Sequence, residues 1–190
     1  MQLREVFGRR RERGASLVEA AMVFPILILI IMGTLEIGLA FKDYLTVSYI
    51  SREGARLGAL AGDDPDADCT ILRGIGGIAT SRDLERIDEI QIFKADVNTG
   101  AQGLTNVATY IDGADPTICN VPSTPLDGWT ISPIAWSPTS RQTTVGTTAL
   151  DIIGVRVLLT RSWVTNFGPF RGTAQIDEST LTRLEPQAFE

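Results

Sequence analysis

Asp63, Asp64, Asp66 and Asp68 bring hard oxygen ligands together at a spacing close to that of a calcium loop. Counted from Asp64, an EF-hand needs Gly at the sixth position and Glu at the twelfth, and this chain has Cys69 and Ile75 there. The cluster therefore reads as a solvated acidic turn. Arg73-Gly74-Ile75-Gly76-Gly77 has the glycines of a phosphate loop, but no strand precedes it, the third Gly of G-x-G-x-x-G is missing, and no Lys-Ser/Thr follows. It reads as small-residue packing. The chain has no His, which removes the commonest general base and metal ligand and leaves carboxylates, Lys and Tyr for proton transfer. No nucleophile motif or metal spacing compensates, so no catalytic residue, metal, cofactor or small-molecule substrate is expected.

Three residues keep a distinct chemistry. Glu19 is an acid at the entrance of an apolar run, where an unpaired carboxylate is costly. Cys69 and Cys119 both follow that run, and an even count on the extracytoplasmic side suggests one disulfide, with two free thiols as the alternative. The bond would close a loop of about 50 residues and stabilise the fold by roughly 4 kcal/mol in the chain-entropy model.

These residues need an element to position them, and it starts at the basic leader. Arg4, Arg9, Arg10, Arg11 and Arg13 stand against Glu5 and Glu12, so residues 1–14 carry +3 of a formal net charge of -6, leaving -9 on the rest. An acidic body excludes nucleic acid as the partner, because phosphate neutralisation needs clustered cations on the folded part. Residues 20–35 offer only Thr34 as a polar side chain, whereas a water-soluble helix of that length would show a polar face. From Glu19 to Glu36 a helix covers roughly 25 Å, close to the hydrocarbon thickness, which sets the two carboxylates near the two interfaces. The Arg cluster is predicted to stay on the cytoplasmic side and the body to lie outside. A secretory signal removed whole, with Gly38-Leu39-Ala40 as its small-x-small site, is the rival reading; its apolar core should be shorter than this one. Pro25 inside the run removes a backbone donor, and either kinks the helix, with the Ala21 carbonyl finding another partner, or is simply tolerated.

Lys42-Asp43-Tyr44 puts charge and an aromatic at the outer interface, and the helix is expected to run on to Ala61, about 45 residues from Ala15 and roughly 70 Å long. Gly62-Asp63-Asp64-Pro65 stops it. Gly54-x-x-x-Gly58 provides a surface for close helix packing, against another subunit or, more economically beyond the bilayer, against the protein's own sheet. A weak second helix is expected at residues 69–80 and a short helical turn at 81–87. Strands are expected at 88–97, where Ile90, Ile92, Ala95 and Val97 alternate, at 151–163, with Ile153, Val155, Val157 and Leu159 on one face, and at 177–184. Residues 98–149 are rich in Thr, Gly, Pro, Ser and Asp and read as an irregular insert, with short strands at 107–111 and 129–134. No crossover helix is needed, so the fold class is α+β: a long transmembrane-plus-stalk helix followed by a small antiparallel sheet domain. The expected divisions are 1–14, 15–62 and 63–190.

A basic leader ending in Gly14, followed by an apolar helix with Glu as the fifth residue after that Gly, resembles a type IV prepilin. The longer stretch Arg13-Gly14-Ala15-Ser16-Leu17-Val18-Glu19-Ala20-Ala21-Met22-Val23-Phe24-Pro25, followed by Glu36-Ile37-Gly38, is similar to the TadE-like family, minor pilins or pseudopilins of the Tad/Flp tight-adherence pilus. Ser51-Arg52-Glu53-Gly54-Ala55-Arg56, Ile153-Gly154-Val155-Arg156-Val157 and Arg183-Leu184-Glu185-Pro186 also fit the family's layout, whereas residues 98–149 have no counterpart in it. The resemblance implies a pilin-like protein cut between Gly14 and Ala15 by a prepilin peptidase and held in the cytoplasmic membrane by one span. Its N-terminus would be cytoplasmic and its body extracytoplasmic, with other pilins and Tad assembly proteins as partners. It implies assembly roles for Glu19 and Pro25: the Glu19 carboxylate would meet the Ala15 ammonium of an adjacent subunit, where otherwise it would snorkel to the headgroups. The alternative function is a permanently anchored envelope protein whose 98–149 region binds a surface partner.

Overall fold

The structure is a computed structural model, and it describes residues 3–110, 129–131, 133–144, 149–166 and 168–186. The chain divides into two compact units, one made of Met1–Phe41 with Trp163–Gly172 and the other of Lys42–Ser162 with Thr173–Glu190. Helix α1, Leu3–Ala61, contributes to both and continues through Pro25. It ends as the Gly-then-Pro signal requires: Gly62 adopts a left-handed φ of 60° and its N–H donates to the Gly58 carbonyl at 3.2 Å.

In the second unit α1 is followed by α2 (Ala67–Ile78), the short α3 (Ser81–Leu84) and strands β1 (Ile87–Ala95), β2 (Gln102–Tyr110), β3 (Trp129–Ile131), β4 (Ile152–Ser162) and β5 (Thr173–Arg183). The strands form one sheet in the order β3-β2-β1-β4-β5, and every neighbouring pair is antiparallel. The α+β class and the antiparallel pairing are those the sequence predicts. The core is built from one stripe of α1 (Val47, Ile50, Ala55), one face of α2 (Ile71, Leu72, Ile75) and the inward residues of β1 and β4, including Ile90, Ile92, Ile153, Val155, Val157 and Leu159. A period of 2 in the strands and near 3.6 in the helices lets these side chains share one interior.

The glycine-rich stretches are sites of close approach. A Cβ on Gly54 would come 3.0 Å from Val155 Cγ1 and 3.1 Å from Ile75 Cδ1, and one on Gly58 2.7 Å from Ile153 Cδ1. The Gly54-x-x-x-Gly58 surface is thus covered by the chain's own α2 and β4. Gly154 stands opposite Phe93, and a Cβ there would enter the Phe93 ring.

Three expectations change. The 98–149 region is less irregular than its composition suggests, because β2 begins at Gln102 rather than 107 and pairs with β1 from Gln102 to Ala108, with one register shift. Gln102-Gly103-Leu104-Thr105-Asn106 lacks an alternating apolar signal; Asn106 is buried there, satisfied by the Trp136 backbone. β5 begins at Thr173, four residues earlier than expected, since β4 supplies a partner for every residue from Thr173 onward. Asp68 is no solvated turn residue. It is 5% exposed and pairs with the buried Arg141, while Asp63, Asp64 and Asp66 do stay exposed.

Candidate anchoring and assembly site

The backbone at Gly14, Ala15, Glu19 and Pro25 lies within α1, and the Ala15, Glu19 and Pro25 side chains are exposed. Around them the large apolar side chains from Leu17 to Met32 are 41–72% exposed, on all sides of the helix. Monomeric soluble proteins rarely expose a continuous apolar surface of this extent, and a helix apolar all round belongs in lipid or in a core. Ala15–Ala61 holds a window long and apolar enough to cross a membrane, and none of that window is buried.

Glu36 departs from this pattern. Expected near the outer interface, it is fully buried between the exposed Leu35 and Ile37, and its Oε1 accepts the Thr165 backbone N–H at 2.5 Å. The covering segment is the β4–β5 loop, Trp163–Gly172, which belongs to the same compact unit. Asn166, Gly168 and Gly172 all take left-handed φ values there, which folds the loop tightly, and the Trp163 N–H closes it on the Gly172 carbonyl at 3.4 Å. The Trp163 and Phe170 rings pack at 5.1 Å, and Phe170 lies 3.7 Å from where a Cβ on Gly33 would be.

In the second unit, the outer part of α1 is fastened by polar groups. Asp43 takes both guanidinium N–H groups of Arg86, at 2.7 and 3.1 Å, and Arg161 stands 3.6 Å away. Asp43, read as an interfacial charge, is 6% exposed. The ion pair holds the Arg86 guanidinium above its ordinary pKa. Ser51 Oγ donates to the Val155 carbonyl at 2.8 Å, joining α1 to β4, and the Glu185 N–H donates to the Ala59 carbonyl at 3.1 Å. Around Asp68, Arg141 lies 4.6 Å above the Trp136 ring and Asn106 donates to Asp68 Oδ2 at 2.8 Å. Arg141 and its neighbours belong to the region expected to be irregular. Sequence reasoning missed this cluster, although Asp68, Ile71, Leu72 and Ile75 follow one helical stripe and so mark Asp68 as inward-facing.

Cys69 is buried on α2 and is not a free thiol; Cys119 lies outside the described residues. Among the described residues no group of three or more His, Cys, Asp or Glu could hold a metal ion. A shallow groove of about 330 Å³, lined by Phe93, Gln102, Arg156, Asp177 and Glu178 among others, has its cation engaged, since Arg156 Nε donates to Asp177 at 2.6 Å. The described residues supply an exposed apolar helix, long enough to cross a membrane, and a folded body.

Comparison with curated proteins and with solved structures gives no match. Residues 14–56 match the family model described as TadE-like protein. That segment takes in Gly14, Ala15, Glu19, Pro25, Glu36 and the Ser51–Arg56 motif. From its first apolar turn to the stripe that enters the core, the chain is similar to the TadE-like family over residues 14–56, less than a quarter of its length.

Proposed function

We propose that this chain is a structural minor pilin or pseudopilin that takes part in assembling a Tad-type pilus at the cell envelope. The observation that carries the reading is the apolar surface of α1 within the TadE-like segment, with Glu19 as the one acid in its first turns after Gly14. In this reading residues 1–14 are a leader on the cytoplasmic side, a prepilin peptidase cuts between Gly14 and Ala15, residues 15–62 stay as span and stalk, and residues 63–190 lie outside. Glu19 then pairs with the Ala15 ammonium of a neighbouring subunit, which offsets the cost of a carboxylate at the membrane boundary and rewards correct axial register. Pro25, which leaves one carbonyl without its usual helical donor, gives the packed helices a place to adjust.

The body is closed by a Cys69–Cys119 disulfide, consistent with the buried, non-free Cys69 and an oxidising compartment. Two alkylatable thiols in the unreduced protein would rule that bond out.

N-terminal sequencing of the membrane-extracted protein tests the processing. The expected first residue is Ala15, and Gly14→Leu should leave the leader attached. A mature chain that keeps Met1 would instead favour a permanently anchored envelope protein whose 98–149 region binds a surface partner.

A further inference from the structure

The loop that covers Glu36 has the composition of a membrane-interface element. Trp163-Val164-Thr165-Asn166-Phe167-Gly168-Pro169-Phe170-Arg171-Gly172 carries three aromatics, one cation and no acid. Trp rings and cationic side chains favour the headgroup level, where one end meets the acyl chains and the other the phosphates. Its position along α1 agrees. Lys42 is the first cation after the apolar run, and Glu36 and Gly33 precede it by about 9 Å and 14 Å of helix rise. A loop bonded to Glu36 and packed by Phe170 on Gly33 is therefore held at a level where α1 still exposes Ile37, Leu39 and Phe41 by 41–61%. Val164, 73% exposed, extends that apolar surface onto the loop.

We infer that the Trp163–Gly172 loop is a second membrane contact, seated in the outer-leaflet interface beside α1. The inference rests on α1 crossing the bilayer. Its occupant is lipid, because the loop surface continues the lipid-facing surface of the helix within one compact unit and lacks the acids that anionic headgroups would repel. The loop also makes Glu36 tolerable at that depth. The carboxylate receives an N–H donor and is screened from the acyl chains, whereas an unpaired acid there would be costly. The same bond satisfies one loop N–H, and a second N–H is satisfied by the Trp163–Gly172 closure, as irregular backbone near hydrocarbon requires.

The full-length protein reconstituted in phosphatidylcholine–phosphatidylglycerol vesicles provides the test, with a phosphatidylcholine brominated near the top of its acyl chains as the probe. The emission of Trp163 is the difference between wild type and Trp163→Phe, with circular dichroism confirming that the variant folds. Most of that difference emission should be lost to the brominated lipid and little to aqueous iodide. Val164→Asp should weaken the lipid quenching without changing the circular dichroism. Emission quenched by iodide but not by brominated lipid would place the loop in water. Emission shielded from both would place it under protein, such as a second copy. Either result, or unchanged quenching in Val164→Asp, overturns the inference. Flotation of the vesicles tests the anchor separately: protein that floats without lipid quenching of Trp163 sinks the loop alone, and protein that fails to float sinks the spanning helix.

Discussion

The two halves of α1 differ mainly in what surrounds them. From Leu17 to Met32 the large apolar side chains are exposed around the whole circumference, and between there and Phe41 Glu36 is buried; from Val47 to Ala59 a single stripe of Val47, Ile50, Ser51, Gly54, Ala55, Gly58 and Ala59 is buried, while Tyr49, Arg52, Arg56 and Leu60 face out. A Cβ added to Gly38 meets nothing within 4 Å, whereas one added to Gly58 meets Ile153 and Ile71 within 3 Å. One backbone conformation thus carries two kinds of surface. A run with the length and composition of a membrane span needs only apolar side chains, whereas against a folded body each position has a specific neighbour.

Glu19→Ala breaks the comparison most severely if the exposed apolar half has one position that is not interchangeable. We expect near-complete loss of incorporation into pili, with processing after Gly14 intact, measured by shearing pili and blotting the membrane; normal incorporation would remove Glu19 from assembly. On the packed side, Asp68→Ala should cost about 3–5 kcal/mol, because it strands the fully buried Arg141. Denaturant unfolding reads this directly, and a loss below about 1 kcal/mol would mean that water reaches the guanidinium. Replacing both Asp68 and Arg141 by apolar residues should recover much of the loss.

Glycine substitutions sharpen the contrast at smaller scale. Gly58→Leu should destabilise the body by about 1–3 kcal/mol through overpacking, whereas Gly38→Leu should leave its melting temperature unchanged. Equal effects would erase the distinction between the halves.

The smallest effect concerns acid stability. Arg156 beside Asp177, and the Thr99 and Asn98 donors around Asp96, hold both carboxyls below their usual range. Such groups contribute stability that is present above the unfolded carboxylate pKa and lost as pH falls through the lowered folded values. Melting temperature should therefore fall on acidification below about pH 4. Asp177→Asn should flatten that limb slightly, since the Asp177 side chain is 38% exposed and solvent screens the pair. An unaltered limb would show that the pair contributes nothing.

The sequence is most legible where one physical rule acts alone. Hydropathy over residues 20–35 marks the exposed apolar part of α1, Gly62 and Pro65 mark the end of that helix, and the alternation from Ile153 to Leu159 marks β4. It is least legible where polar residues are buried by partners distant in sequence. Asp68 and Arg141 are 73 residues apart, Ser51 and Val155 are 104, and Glu36 and Thr165 are 129. Local pattern can at most say which way such a side chain faces, as the stripe does for Asp68; only the assembled fold supplies its partner. The first half of β2 escaped for a related reason: its residues pair through the backbone, and Asn106 replaces the apolar residue that alternation would require there.

The ion pairs of the body join carboxylates to Arg and Lys throughout, in a chain without His. No side chain with an ordinary pKa between about 6 and 8 is therefore present to register a change in the surroundings, and the charge of the body is effectively fixed across the neutral range. The group that does titrate ordinarily near that window is the α-amine at about 7.7–8.0. Cutting after Gly14 would move that amine from the tip of a basic leader to Ala15, four residues from Glu19. Processing would then do more than shorten the chain: it would place a new positive charge four residues from the acid proposed to guide assembly.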